Sequence, residues 1–303
     1  MSYRSEIIID PKFKSGFFLQ GPNPVTDQRI NFTYLDYDGK AIVPARKVWI
    51  MSQWWTPFPF SDSKFEDTEM YYRYSNESKS CKINKEDGEI TIYLNSYLEY
   101  KKRLGHSRDK AIEPWSHFLL EQDFYHPLSF RKLQAFIARL DFCIDKVNQL
   151  DEEHYNPEIH AAQLLWYLTI KEVKKNTAVD DSNPLKDNYI WIGIPIFDNR
   201  YKTIKGSQMI DKGFSGATNS LIYTLSSSAY LKEEPIQLGK YYSIDVDLLP
   251  YIKKSVRYAI RQGIFSSERN LFVNYMNIGW EVPGSFEVES RLKNIHLEAI
   301  SDE

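Results

Sequence analysis

Apolar and polar residues alternate through most of this chain, and the alternation is interrupted by turn-forming clusters. In 116–124 the even positions carry Phe118, Leu120 and Phe124, with Gln122 the polar exception, while the odd positions carry His117, Leu119, Glu121 and Asp123. In 134–147 the even set is Phe136, Ala138, Leu140, Phe142 and Ile144, and the odd set includes Arg139, Asp141, Cys143 and Asp145. In 159–171 Ala162, Leu164, Trp166, Leu168 and Ile170 oppose Gln163, Leu165, Tyr167, Thr169 and Lys171. In 189–198 the isoleucines 190, 192, 194 and 196 oppose Tyr189, Trp191, Gly193, Pro195 and Phe197. Successive strand side chains point to opposite faces, so a period of two predicts strands with one greasy face and one polar face.

Further strands are predicted near 4–9, 30–36, 46–55, 89–94, 219–225, 241–247, 270–278 and 286–299. The turn signals between strands are "GPNP" at 21–24, "YDGK" at 37–40, "EDGE" at 86–89, "DSNP" at 181–184 and "VPGS" at 282–285. Short strands punctuated by Gly, Pro, Asn and Asp read as an all-β sandwich or barrel. One segment breaks the period. Ile252, Val256, Ala259 and Ile260 recur at helical spacing, with Pro250 in the first turn and Gly263 at the end, which predicts one short surface helix near 250–262. Residues 62–88 and 174–188 read as long polar loops. No clear linker divides the strands. Residues 1–303 are therefore expected to form a single β-sandwich domain, with N-terminal strands 1–60 packing on a main sandwich 89–300.

The polar faces are unusual. A solvated face is expected to carry Lys, Glu, Ser and Thr, whereas these carry acids, Arg, Gln, Tyr167, Tyr189 and Trp191. Gly193 and Pro195 leave low relief beside Trp191, as a groove floor does. The face reads as a binding platform; cover by the chain's own loops or helix is the alternative.

Composition narrows the choice. Aromatic residues make up 15% of the 303, which suits pleated strands and stacking surfaces alike. The formal net charge of −3 lacks the basic footprint of a nucleic-acid binder. No run of 18 apolar residues predicts a membrane span. The N-terminus "MSYRSEIIIDPKFKSG" has no signal-peptide pattern, so a cytoplasmic protein is expected, or a secreted one whose signal has been removed. Cys81 and Cys143 form no CxxC, and two free thiols are expected in preference to a disulfide.

Length, turn-punctuated strands and the aromatic and acidic face, over roughly residues 110–300, resemble jelly-roll sandwiches of the concanavalin A-like kind. That group contains lectins, glycoside hydrolases, polysaccharide lyases and carbohydrate-binding modules. The closing segment "GSFEVESRLKNIHLEAI" is similar to the last strand of many carbohydrate-binding modules. "LLEQDFYH", 119–126, is similar to the start of the Glu-x-Asp-x-x-Glu signature of laminarinase-like glycosidases, but Tyr125 and His126 stand where the third acid should be. The resemblance implies nucleophile or base work for Glu121, with Asp123 or Asp141 nearby, and leaves the acid unassigned. A polysaccharide lyase needs a His or Tyr base and groups that neutralise a uronate. "EIHAAQ", 158–163, faintly resembles the Gln-Ile-His of one alginate-lyase group, but parity puts His160 on the core side, so His117, Arg139 and Tyr167 fit that role better.

Rim loops supply further candidates. Asp198, Asn199 and Arg200 follow one strand, and an Asx-turn with an Arg salt bridge is the alternative reading of them. Tyr275, Asn277, Trp280 and Glu281 precede the Pro283–Gly284 turn, and Trp54 and Trp55 read as half-buried packing. The expected catalytic set is Glu121, Asp123, Asp141 and His117, and the expected substrate-binding set is Arg139, Gln163, Tyr167, Tyr189, Trp191, Asp198 and Arg200. Arg139 and Asp141 are expected on a strand of the same sheet as Glu121. No cofactor or metal ligand set is read, and a structural calcium ion has no motif behind it. The expected partner is an oligosaccharide or polysaccharide, bound or acted on as by a glycoside hydrolase. The alternatives are a polysaccharide lyase, and a structural protein that uses the same face as a subunit interface.

Overall fold

A computed structural model describes residues 2–21, 33–43, 46–173, 188–212, 220–233 and 235–302. The turns expected at 21–24 and 181–184, the start of the strand expected at 30–36 and nearly all of the 174–188 loop lie largely or wholly outside the described residues. In chain order the strands are β1 (Ser2–Glu6), β2 (Phe17–Gln20), β3 (Tyr34–Leu35), β4 (Ile50–Ser52), β5 (Lys64–Asp67), β6 (Tyr71–Ser75), β7 (Lys79–Asn84), β8 (Ile90–Asn95) and β9 (Ser116–Ser129). They continue as β10 (Leu133–Gln149), β11 (Gln163–Glu172), β12 (Tyr189–Asp198), β13 (Ser207–Ile210), β14 (Leu221–Thr224), β15 (Tyr241–Asp247), β16 (Leu271–Val282) and β17 (Phe286–Asp302). Two helices complete the set, α1 (Ser96–Leu104) and α2 (Leu249–Arg261).

The strands form two sheets of a β-sandwich, as the alternation predicts. The first runs β15-β10-β17-β8-β7-β6-β5, with β1 on β17; the second runs β13-β14-β12-β11-β16-β9-β4-β2-β3. Pairing is antiparallel except for β12 with β14 and β2 with β4. The even-parity residues of β9, β10, β11 and β12 lie in one buried cluster that extends from Ile8 to Ala299. Gln122 belongs among them because its side chain closes both hydrogen bonds of the Ile9 backbone, 2.8 and 3.0 Å. His160 is buried at the core edge, as parity predicts, with its ring nitrogens bonded to the Arg108 carbonyl and the Asn156 amide. Both cysteines are buried and free.

The structure corrects three expectations. The polar stretch 62–88 contains β5, β6 and β7. These short strands mix charges with Phe65, Tyr72 and Tyr74, and β5 is an exposed edge, so they carry no clean alternation. A second helix, α1, accompanies the expected one. Its signals are present in the sequence: Asn95 caps it by accepting from Leu98 N at 3.1 Å, three basic residues fill its last turn, and Gly105 ends it in the left-handed region at φ 80°. Finally, β10 is in the first sheet. Arg139 and Asp141 are therefore on the far side of the core from Glu121, not on a strand of its sheet.

Candidate glycan-binding face

The outer face of the second sheet collects the odd-parity side chains of β9, β11 and β12 and those of β16 in register with them. One row across the strands is Trp191–Thr169–Tyr275–Asp123. The next is Gly193–Tyr167–Asn277–Glu121–Ile50–Phe18. Against β11, Thr169 pairs with Tyr275 and Ile170 with Val273, which makes Asn274 an extra residue on β16, and the pairing with β9 shifts at the same place. Such a bulge re-aims a side chain. Here Asn274 and Tyr275 both reach the same pocket, and Asn274 Oδ1 accepts from Thr169 Oγ1 at 2.9 Å.

That pocket, of about 140 Å³, is lined by Gln20, Ile50, Glu121, Asp123, Thr169, Lys171, Tyr189, Trp191, Asn274 and Tyr275. Trp191 is its aromatic centre. Tyr189, Tyr167 and Tyr275 meet it edge-on with ring centroids at 5.8, 5.7 and 6.0 Å. The Tyr167 ring lies over Gly193, where an added Cβ would meet it at 2.6 Å. The low relief read at Gly193 is thus a seat for a tyrosine and not an open floor.

Glu121 is only 5% exposed, and Asp123, two residues on, is exposed. The Tyr275 hydroxyl is hydrogen-bonded to Glu121. Burial, and then the negative charge of Glu121, push the Tyr275 pKa well up, so the phenol stays a neutral donor. Asn277, directly opposite Glu121, donates to the Tyr275 hydroxyl at 3.4 Å, while its own Oδ1 is buried and accepts no hydrogen bond among the described residues.

A second acid occupies the same face further along. Glu281 pairs in register with His117, whose Nε2 is 3.5 Å from its carboxylate, and Trp115 Nε1 donates to it at 3.2 Å. Trp115 stacks on the His117 ring with centroids 5.4 Å apart. Burial opposes ionisation of Glu281, but the charge of His117 and hydrogen bonds from His117 and Trp115 outweigh it and hold the Glu281 pKa below the usual carboxylate value. His117 and Glu121 are four residues apart, about 13 Å along a strand. His117 therefore belongs with Glu281, not with Glu121.

The other expected residues separate. On the end row, Gln163 donates to Asp198 at 2.8 Å, and Arg200 clamps both Asp198 oxygens at 3.0 and 2.7 Å while its backbone N–H closes an Asx-turn. Asp198 and Arg200 line a different cavity, of about 430 Å³, beyond the end of β12. Phe197, grouped by parity with Trp191, packs on the core against Trp280, because the register shifts between Leu164 and Leu165 and flips the strand end. Arg139 pairs with Glu298 at 3.0 Å and with Asp245 at 3.4 Å on the outer face of the first sheet. Asp141 accepts there from Ser243 and Asn294. The lyase trio of His117, Arg139 and Tyr167 is consequently not assembled. Among the described residues no group of three or more His, Cys, Asp or Glu could hold a metal ion, and no helix is long and apolar enough to cross a membrane.

Asn274 and Trp115 are site residues that the sequence reading did not name, while Tyr275, Asn277 and Glu281 were named only as strand-end candidates beside Trp280, which the structure buries in the core. Tyr275 and Asn277 were legible as odd members of an aromatic strand, whereas Asn274 reaches the face only through the bulge.

No protein-family model and no curated protein matches this chain. Solved structures similar to it are family 12 glycoside hydrolases. A cellulase derived from that of Rhodothermus marinus is 10% identical with a TM-score of 0.42, over 83% of this chain and 100% of that one. The family 12 xyloglucanase from Bacillus licheniformis is 10% identical with a TM-score of 0.45, over 80% and 99%. The xyloglucanase domain of a type three effector from Sinorhizobium fredii, solved with cellobiose, is 9% identical with a TM-score of 0.37, over 80% and 99%. The likeness is one of fold. At these identities and TM-scores it carries no activity and no residue role to this chain.

Proposed function

We propose that the outer face of the second sheet binds a glycan. The observation that carries this reading is the pocket around Trp191: an aromatic plane ringed by tyrosines, with Glu121, Asp123, Gln20, Asn274 and Thr169 converging on it. Sugar rings present apolar C–H faces and a rim of hydroxyls. A flat aromatic with carboxylate and amide neighbours matches both. The test is binding of an oligosaccharide panel by calorimetry, comparing the native chain with Trp191→Ala. Affinity should fall at least about tenfold, as for loss of a central aromatic anchor. The stability loss should stay below the roughly 3–5 kcal/mol of a fully buried tryptophan, because Trp191 is only half-buried. A larger loss with unchanged binding would make the ring packing and not platform.

Hydrolysis is the second reading, favoured by two acids of the face lying in different environments: Glu121 buried against Tyr275, and Asp123 exposed. Assays of hydrolysis and β-elimination on a polysaccharide panel test it. Glu121→Gln keeps the shape and removes the charge, so a catalytic carboxylate should lose at least about 10²-fold in rate. Activity that survives the substitution rules Glu121 out as the catalyst.

A further inference from the structure

We infer that the cavity beyond the end of β12 is a second ligand site, one that takes a small aliphatic carboxylate. The inference does not depend on the glycan reading. Size admits a ligand: about 430 Å³ falls within the roughly 300–1,000 Å³ of small-molecule sites. Place explains the apolar lining. Val147 comes from the end of β10 in the first sheet and Ile196 from β12 in the second, so the cavity opens where the core between the sheets reaches the surface. Val147, Phe197 and Ile236 pack on the core but stay only partly buried, and Leu238 on the same lining is 54% exposed. Apolar surface continuous with a core and left open to water is the surface a hydrocarbon covers.

The shape of that hydrocarbon follows from the side chains. Val147, Ile196, Ile204, Leu231, Ile236 and Leu238 are branched aliphatics, whereas the Trp191 pocket is built on rings. The polar members of the wall are already engaged. Arg200 holds both Asp198 oxygens, Gln163 donates to Asp198 as well, Asn199 accepts from Ala162 N at 2.7 Å, and Ser227 accepts from Ile204 N at 2.9 Å. A sugar, with a rim of hydroxyls, would find few partners there, and unpaired polar groups are costly to bury. Charge fixes the head group. Arg200 and Asp198 cancel, and Lys202, two residues on, is exposed and forms no ion pair among the described residues. The lining therefore carries one cation in excess, which one carboxylate balances.

The experiment titrates hexanoate, octanoate and octanol calorimetrically into the full chain at neutral pH and low salt. Octanoate should bind at least about fivefold more tightly than hexanoate, because two further CH₂ groups leave water. It should bind about three- to fivefold more tightly than octanol, the upper range of an exposed ion pair, and less so in high salt. Lys202→Gln should bring that preference below about twofold, and Lys202→Arg should keep it. Leu238→Glu, which puts a negative charge among the aliphatic side chains, should weaken octanoate at least about tenfold. Both positions are exposed, so thermal melts of these variants should match the native chain. Equal binding of hexanoate and octanoate would overturn the inference, as would octanol binding as tightly as octanoate. So would a preference for octanoate that Lys202→Gln leaves in place, or affinity that Leu238→Glu leaves unchanged. Octanoate binding that is lost in Trp191→Ala would place the ligand in the other pocket and overturn it too.

Discussion

Two buried carboxylates are set up in opposite ways. Glu99 on α1 is fully buried and ion-paired with Lys79, itself fully buried, and Thr56 and Ser78 donate to the same oxygen, at 2.6 and 2.9 Å. Every group in that cluster belongs to the scaffold. It ties α1 and the Trp54–Trp55 corner to β7, helped by the bond from Arg103 to the Trp55 carbonyl. Glu121 is nearly as buried, but it is hydrogen-bonded to the Tyr275 phenol and lies in the wall of a pocket. An acid closed off by its own buried cation holds a fold together. An acid buried against a phenol at a pocket wall lies where a ligand in that pocket would meet it. The outer faces of the sheets repeat the contrast: Arg139 with Glu298 and Asp245, Arg291 with Asp145, and Lys146 with Glu287 cancel charge across the first sheet, whereas the second collects acids among rings.

The largest expected effect is at the scaffold acid. Lys79→Met leaves Glu99 buried without its cation and should cost about 3–5 kcal/mol in urea unfolding, with much of it recovered when Glu99→Leu is added. A loss under about 1 kcal/mol would dissolve the distinction between the two acids. Glu121→Gln should do the reverse. Its amide still accepts from Tyr275, so stability should change by less than about 1 kcal/mol while glycan affinity falls at least tenfold, the loss expected for one charge-assisted bond. A smaller effect is expected at Glu281, whose pKa is depressed in the folded state. Its contribution is present above the unfolded carboxylate value of 4.5 and is lost as pH falls through the folded value. Thermal melts should therefore show an acid-side decline below about pH 4.5 that is shallower in Glu281→Gln; parallel declines would remove the His117 pairing as its cause. Least of all, Arg139→Ala should cost no more than about 1 kcal/mol and be nearly silent in high salt, as an exposed pair across the first sheet. A larger or salt-independent loss would place that face on a level with the second.

How far the sequence carried is clearest on β9 and β12. Parity alone separated Phe118, Leu120 and Phe124 from His117, Glu121 and Asp123, and the isoleucines from Tyr189 and Trp191, because a strand's period of two is a local property. The α2 helix was legible for the same reason, through its apolar spacing, Pro250 and Gly263. Local signals also existed for α1, in Asn95 and Gly105, but the short aromatic strands around it masked them.

What parity could not supply is which strands share a sheet. Arg139, Asp141, Glu121 and Trp191 all lie on polar faces, but a sandwich has two of them, and only the pairing of β10 with β15 and β17 sends the first two to the far side. Register shifts were equally hidden. One turned Phe197 into the core, and another brought Asn274 to the pocket. Depth was decided by packing as well: Glu121 and Asp123 are equivalent in the alternation, but one is buried and the other is exposed. The amino-acid sequence by itself determined the sandwich, its core faces and a polar face rich in aromatics, since these follow from the residues within each strand. Tertiary structure alone decided that Glu121 meets Tyr275 and shares a pocket with Trp191 while His117 meets Glu281. Those neighbours come from strands more than 65 residues apart, and contact at that range depends on sheet order and register, which no single strand encodes.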